Sequence, residues 1–182
     1  MTTSRPKPAR LHNGGPRPLA PLYVAGEVRR WHANPALARE GQTNADHQGR
    51  CVQLLLMLHP EASPALVRCM AFHDVGEVVG DLPGPVKRAH PGMAQAHAKI
   101  EAEARDHLCG ALPWLTPVEA RWLDLVDRLE AACFVISRQP GEALRPRVGW
   151  KESLSRLQDD ADALGFGPDV RRLIDDLFSG DW

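Results

Sequence analysis

Two hydroxyl-proline steps constrain this chain most. Ser63-Pro64 and Thr116-Pro117 each open a run whose apolar residues recur at three- and four-residue steps. A hydroxyl at such a position accepts from the freed N–H groups of a first helical turn, and a proline just after it has no N–H to lose there. In TPVE, Glu119 adds the reciprocal half of a capping box. Val118, Trp122, Leu125, Leu129, Cys133 and Ile136 then form one stripe of a helix reaching about Arg138. The same reasoning predicts helices over Asn44–Leu58, from Ser63 as cap to about Val79, and from about Gly92 to Cys109 with Gly110 as its stop. Shorter ones are expected over Glu152–Leu164 and Pro168–Phe178, while DLPGP reads as a loop. No run alternates with period two long enough to make a sheet. The fold class is all-α, a compact helical bundle, and 182 residues suit one domain.

Residues 1–20 read differently. Pro6, Pro8, Pro16 and Pro18 alternate with Arg5, Lys7, Arg10 and Arg17, so a flexible Pro/Arg-rich arm is expected ahead of a domain over 21–182. A formal net charge of −1 argues against a nucleic-acid partner, which usually demands a strongly basic surface. The longest apolar run, Leu54–Leu58, is too short to span a bilayer, and the polar N-terminus has no apolar leader core; no membrane partner and a cytoplasmic location are expected. Cys51, Cys69, Cys109 and Cys133 form no CxxC pair and read as small core residues in a reducing compartment.

The stretch FHDVGEVVGD places His73, Asp74, Glu77 and Asp81 in what otherwise reads as a buried helix. A carboxylate among Ala71, Phe72, Val75, Val78 and Val79 is costly without a positive partner, and a metal ion would supply one. Asp127 sits on the TPVE helix opposite the main stripe, among Leu123, Ala131 and Phe134. Taken alone, its simplest reading is a buried acid paired with an arginine. His47, near a helix start, reads alone as a capping or core histidine. Taken together, one His, an adjacent His-Asp pair and a distant Asp supply two imidazoles and two carboxylates from separate helices. That donor set suits Zn²⁺, Mn²⁺, Co²⁺ or Fe²⁺ and leaves positions open for water and substrate.

The order H…HD…D resembles the HD-domain metal-dependent phosphohydrolases. Arg30-Trp31, QTNADHQGR around His47, FHDVGE and GDLPGPVK are similar to the YfbR-like 5′-deoxynucleotidase branch, and especially to its small phage-type members, which include dATP phosphohydrolases. The resemblance covers roughly residues 25 to 136. It implies an HD-domain bundle with a buried metal site, in which His47, His73, Asp74 and Asp127 hold a divalent metal: Co²⁺, Mn²⁺ or Zn²⁺, with Mg²⁺ also admissible. It further implies that Glu77 and Asp74 serve catalysis, Glu77 by activating or orienting water. Arg30 would meet phosphate, Trp31 the sugar or base, and Asp81 the 2′ position of a deoxyribose, with Pro83 and Lys87 bordering the nucleotide. Relatives form dimers or hexamers, so a homo-oligomer in a bacterial or phage-infected cell is implied.

The chain departs from the family pattern in three places. Asp46 stands where the family has Glu before the first ligand His, the HD-to-GDLP spacing is one residue short, and the region after Cys109 is shortened. The function implied is removal of 5′ phosphate from 2′-deoxynucleotides, adjusting the deoxynucleotide pool. The alternatives are a nucleotidase confined to monophosphates, a phosphohydrolase of guanosine alarmones or cyclic nucleotides, and a nucleotide-sensing module without turnover. His32 reads as a surface or supporting group. His90, His97 and His107 read as solvent or interface residues, and the charge run Lys99–Asp106 as a solvated helix face.

Overall fold

The computed structural model describes residues 19–143 and 150–180, and among these the regular structure is helical. The elements are α1 (Leu19–Ala25), α2 (Pro35–Ala38), α3 (Asn44–Leu58), α4 (Pro64–Phe72), a 3₁₀ turn (Val75–Val79), α5 (Gly84–Ala89), α6 (Pro91–Cys109), α7 (Pro117–Arg138), α8 (Pro140–Ala143), α9 (Trp150–Leu164) and α10 (Gly167–Ser179). The extended pairing among the described residues is a single antiparallel bridge, Arg29 to Thr43. No helix among them is long and apolar enough to cross a membrane. The arm expected over 1–20 lies outside the described residues up to position 18; Leu19 and Ala20 already belong to α1.

The caps act as their chemistry dictates. Ser63 Oγ accepts from Leu66 N at 3.1 Å, and Thr116 exchanges bonds with Glu119 in a full capping box. The hydroxyl of Ser63 also donates to Glu119, which ties the starts of α4 and α7 together. A second capping box joins Thr43 and Asp46 at the start of α3. Asp46 is therefore occupied in capping the helix: its Oδ2 accepts from Thr43 N at 3.0 Å.

The core lies where α3, α4, α7, α9 and α10 meet, around Leu55, Leu66, Met70, Leu125, Leu129, Leu157 and Val170, all fully buried. A smaller cluster of Ala25, Val75 and Leu108 joins α1, the 3₁₀ turn and α6. Gly76 makes that second contact possible. A Cβ there would lie 2.1 Å from the Glu101 carbonyl oxygen of α6, so only glycine lets the two backbones approach so closely.

The helix expected from Ser63 to Val79 is broken. It stops at Phe72, Asp74 takes φ −98° and ψ 4°, and the chain continues as the 3₁₀ turn. Polar side chains from α3 explain the break. The amide of Gln48, with its oxygen toward the backbone donors, accepts from the N–H groups of Asp74 and Val75 at 3.2 Å each and donates to the Ala71 carbonyl at 3.0 Å. The Met70 carbonyl accepts from His73 Nδ1 at 2.8 Å. Donors and acceptors that would continue the α-helix are thereby satisfied sideways. The DLPGP loop likewise gives way to α5, because Pro85 at its start suits a first turn.

Candidate metal and nucleotide site

Three separate pieces of chain bring the predicted ligands together. α3 supplies His47, the α4 break supplies His73 and Asp74, and the middle of α7 supplies Asp127. His47 Nε2 lies 3.2 Å from His73 Nε2 and 3.0 Å from Asp127 Oδ1. Asp74 Oδ2 is 3.5 Å from both Nε2 atoms, and His73 Nε2 is 3.7 Å from Asp127 Oδ1. Asp127 is more open than its apolar neighbours suggest, with 37% of its side-chain surface exposed. Its close partners are the imidazoles rather than an arginine.

Hydrogen-bond polarity decides what the centre can hold. His73 Nδ1 donates to the Met70 carbonyl, and His47 Nδ1 donates to the Glu130 carboxylate. In neutral rings both Nε2 atoms are then lone pairs, and they face each other and two carboxylates. Four acceptors converging on one point need a cation. Without a metal, protons take that role. Burial opposes protonation of His73, but Asp127 and Asp74 outweigh it and raise its pKa to about 9. Burial also opposes protonation of His47, and Asp127 and Glu130 again raise it. Burial disfavours the Asp127 anion, yet both imidazoles hold its pKa far below the usual carboxylate range. The residues fit a divalent ion: nitrogen and oxygen donors with the far nitrogens already tied to acceptors.

Three supporting residues escaped the sequence reading. Glu130 is 1% exposed, touches His47 and accepts from Gln42 Nε2 at 2.8 Å. Its signal was a buried acid three residues after a candidate ligand, on the same face of α7. Asn44, fully buried, donates to the Asp74 carbonyl at 3.1 Å. Cys51, expected as a core residue, is buried, but its Sγ lies 3.6 Å from His47 Nε2 and it clusters with His47, His73 and Asp127. Burial and the nearby carboxylates push its thiol far up, which disfavours the thiolate there. The four cysteines are all free.

Beside this centre lies a cleft of about 600 Å³. Arg30, Trp31, Glu77, Asp81 and Pro83 line it, joined by Arg29, His32 and Arg88. Arg30 Nη1 bonds Asp74 and stands 3.9 Å from Glu77 Oε2, at the boundary between cleft and donor cluster. In the 3₁₀ turn, residues three apart eclipse, which keeps Glu77 on the side of Asp74 despite the break. Burial, then the charge of Asp74, raises the Glu77 pKa to about 7 against the pull of Arg30. Lys87 does not line the cleft; its Nζ holds Asp81 Oδ1 at 2.7 Å. Trp31 adopts a left-handed backbone, φ 63°, which is strained for a bulky residue. Its ring stacks on Phe134 at 6.0 Å and its indole N–H donates to Gln42 Oε1 at 2.6 Å. His97 Nδ1 pairs with Glu101 Oε1 at 3.0 Å, one turn along α6.

Comparison with known proteins finds similarity over part of the chain. The sequence model of the family described as "5′-deoxynucleotidase YfbR-like" matches residues 59–131. That span holds His73, Asp74, Glu77, Asp81 and Asp127 but neither His47 nor the Arg30-Trp31 pair. A 5′-deoxynucleotidase of Vibrio atlanticus (strain LGP32) is 51% identical over 43 residues, 23% of this chain and 22% of that relative's length. No solved structure matches the chain significantly. The chain is thus similar to the YfbR-like branch through its central segment, and its fold is all-α as an HD domain requires.

Proposed function

We propose that this chain is a metal-dependent phosphohydrolase that removes 5′ phosphate from 2′-deoxynucleotides. The observation that carries the proposal is the position of Arg30, bonded to Asp74 at the junction between the four-donor centre and the cleft. The similarity of residues 59–131 to YfbR-like 5′-deoxynucleotidases supports the same reading. His47, His73, Asp74 and Asp127 would hold the metal. When bound, such an ion acidifies water toward neutrality and polarises a phosphoryl oxygen; Co²⁺, Mn²⁺, Zn²⁺ and Mg²⁺ are the candidates.

The chain's own groups supply the rest. Glu77, balanced near pH 7, can take the proton from attacking water. Arg30 offers a planar fork to the equatorial phosphoryl oxygens. Water then attacks phosphorus in line, the P–O5′ bond breaks, and the 5′ oxygen leaves as the deoxynucleoside hydroxyl, taking up the proton that Glu77 accepted or one from solvent. Trp31 presents an aromatic face to the sugar or base. Asp81, fixed by Lys87, crowds or bonds the 2′ position, and Pro83 borders the nucleotide.

A triphosphate substrate is the second reading, because Arg29, Arg88 and His32 share the cleft with Arg30 and could track a longer phosphate chain. A product assay separates the readings. Purified protein with Co²⁺, Mn²⁺, Zn²⁺ or Mg²⁺ is incubated with ribo- and deoxyribonucleoside mono-, di- and triphosphates, and products are resolved by chromatography. Deoxynucleoside plus phosphate from monophosphates alone identifies a nucleotidase. Deoxynucleoside from dATP identifies a triphosphate enzyme. No turnover with any metal refutes 5′-deoxynucleotide hydrolysis and leaves the nucleotide sensor or a phosphohydrolase of another phosphoester.

A further inference from the structure

A buried string of hydrogen bonds leads from the cleft wall to the metal centre. Trp31 Nε1 donates to Gln42 Oε1 at 2.6 Å, Gln42 Nε2 donates to Glu130 Oε1 at 2.8 Å, and Glu130 Oε2 accepts from His47 Nδ1. Gln42, Glu130 and His47 are 3%, 1% and 0% exposed, so water cannot readily replace a lost partner. The string has a direction. An indole N–H can only donate, so it fixes the Gln42 oxygen toward itself. That turns the Gln42 N–H groups toward Glu130. A carboxylate accepts on both oxygens and so requires His47 to carry its proton on Nδ1. Nε2 is left as the lone pair facing His73, Asp74 and Asp127.

We propose that Gln42 and Glu130 are positioning residues that lock His47 in its Nδ1–H tautomer, with the Trp31 indole setting the polarity of the string. The proposal rests on the reading of His47 as a metal ligand and adds the residues that prepare it. Arg50 Nη1, nearer the protein surface, lies 3.6 Å from the same Glu130 Oε1 that accepts from Gln42. Trp31 thereby serves two ends: one face of its residue borders the cleft, while its N–H orders the far side of a ligand.

Polarity makes the test sharper than deletion. Glu130→Gln is isosteric, so a packing role would tolerate it. In the string it cannot satisfy everyone. If the new amide turns its oxygen to His47, its N–H₂ meets the Gln42 N–H₂. If it turns its oxygen to Gln42, its N–H₂ meets His47 and drives the ring proton onto Nε2, the metal face. Adding Gln42→Glu resolves the conflict. A carboxylate at position 42 accepts from both Trp31 and the amide at position 130, whose oxygen again accepts from His47.

The experiment measures Co²⁺ and Zn²⁺ dissociation constants by competition for wild type, E130Q, Q42E and the double swap. Long-range ¹H–¹⁵N spectra of His47 accompany them, taken on metal-free protein titrated to the neutral ring. E130Q is expected to weaken metal binding 10- to 100-fold and to lose the Nδ1–H pattern. The double swap is expected to recover both, with affinity within about threefold of wild type. Unchanged affinity in E130Q, or a double swap no better than E130Q, overturns the proposal. If wild type itself binds no metal, the ligand reading fails, and the metal-free spectra still decide the tautomer assignment on their own.

Discussion

Replacing Gly76 by alanine tests the contact that places Glu77. The added Cβ would stand 2.1 Å from the Glu101 carbonyl oxygen, 2.7 Å from its carbon and 3.1 Å from its Cα. All three are backbone atoms of α6, so no side-chain rotation relieves the clash. The 3₁₀ turn and α6 must separate by about 1 Å to restore van der Waals distance, which opens the small cluster of Ala25, Val75 and Leu108. Overpacking of a close-packed interior costs about 1–3 kcal/mol, and a rigid backbone obstacle belongs at the upper end. A loss of about 3 kcal/mol corresponds to a melting temperature lowered by roughly 10 °C in a chain of this size. Gly49→Ala is the control, since nothing lies within 4 Å of a Cβ on that exposed helical residue. The same atom added there should stabilise α3 by about 0.5–1 kcal/mol. Urea denaturation of the three proteins measures both effects. G76A within about 0.5 kcal/mol of wild type, the range of neutral surface changes, would refute the argument that glycine is required by the approach of α6.

The remaining predictions concern the centre. Asp127→Asn should lower bound Co²⁺ or Zn²⁺ at least tenfold in elemental analysis after dialysis and abolish turnover; retained metal with full activity would remove Asp127 from the site. Glu77→Gln should lower kcat by about 10²–10⁴-fold in the product assay, with metal content unchanged, because Glu77 acts on water rather than as a ligand. Metal-free protein should lose stability as pH rises from 6.5 to about 9. The folded His73 pKa of about 9 lies above its ordinary 6.5, so the benefit of its protonation is complete below pH 6.5 and vanishes as the folded group titrates. The ceiling is about 3–4 kcal/mol, at roughly 1.4 kcal/mol per unit, and urea midpoints in chelator at pH 6 and 9.5 measure it.

What the sequence made legible, and what it hid, follows from the range of the interactions involved. α3 and α7 lie where their caps and apolar stripes place them, because capping and helical periodicity are local. The residues that converge on the centre stood out for the same reason, since ionisable residues in apolar runs are visible one helix at a time. The break at His73-Asp74 was not. Phe72 to Val79 favours a helix locally, and the residues that end it, Gln48 and Asn44, are about 30 positions away in sequence. Short helices α1, α2 and α8 carry too few turns for a periodic signal.

Glu130 shows why a motif describes only half of a site such as this. A ligand is recognised by its donor type, and donor types survive in a sequence pattern. The group that fixes which nitrogen carries the proton is recognised only by what faces it. Glu130 reads as one more acid on a long helix until α3 brings His47 and the approach to α3 brings Gln42 against its two oxygens. From there the constraint runs outward: an anion at 130 demands a donor at 42, and the indole at 31 demands an acceptor on the other side of that amide. A single amide can meet both demands in one orientation. The polarity of the whole string, and with it the lone pair that His47 turns to the centre, is therefore set by residues 5, 16 and 83 positions from that histidine, whose identities mean little apart and are tightly coupled once folded.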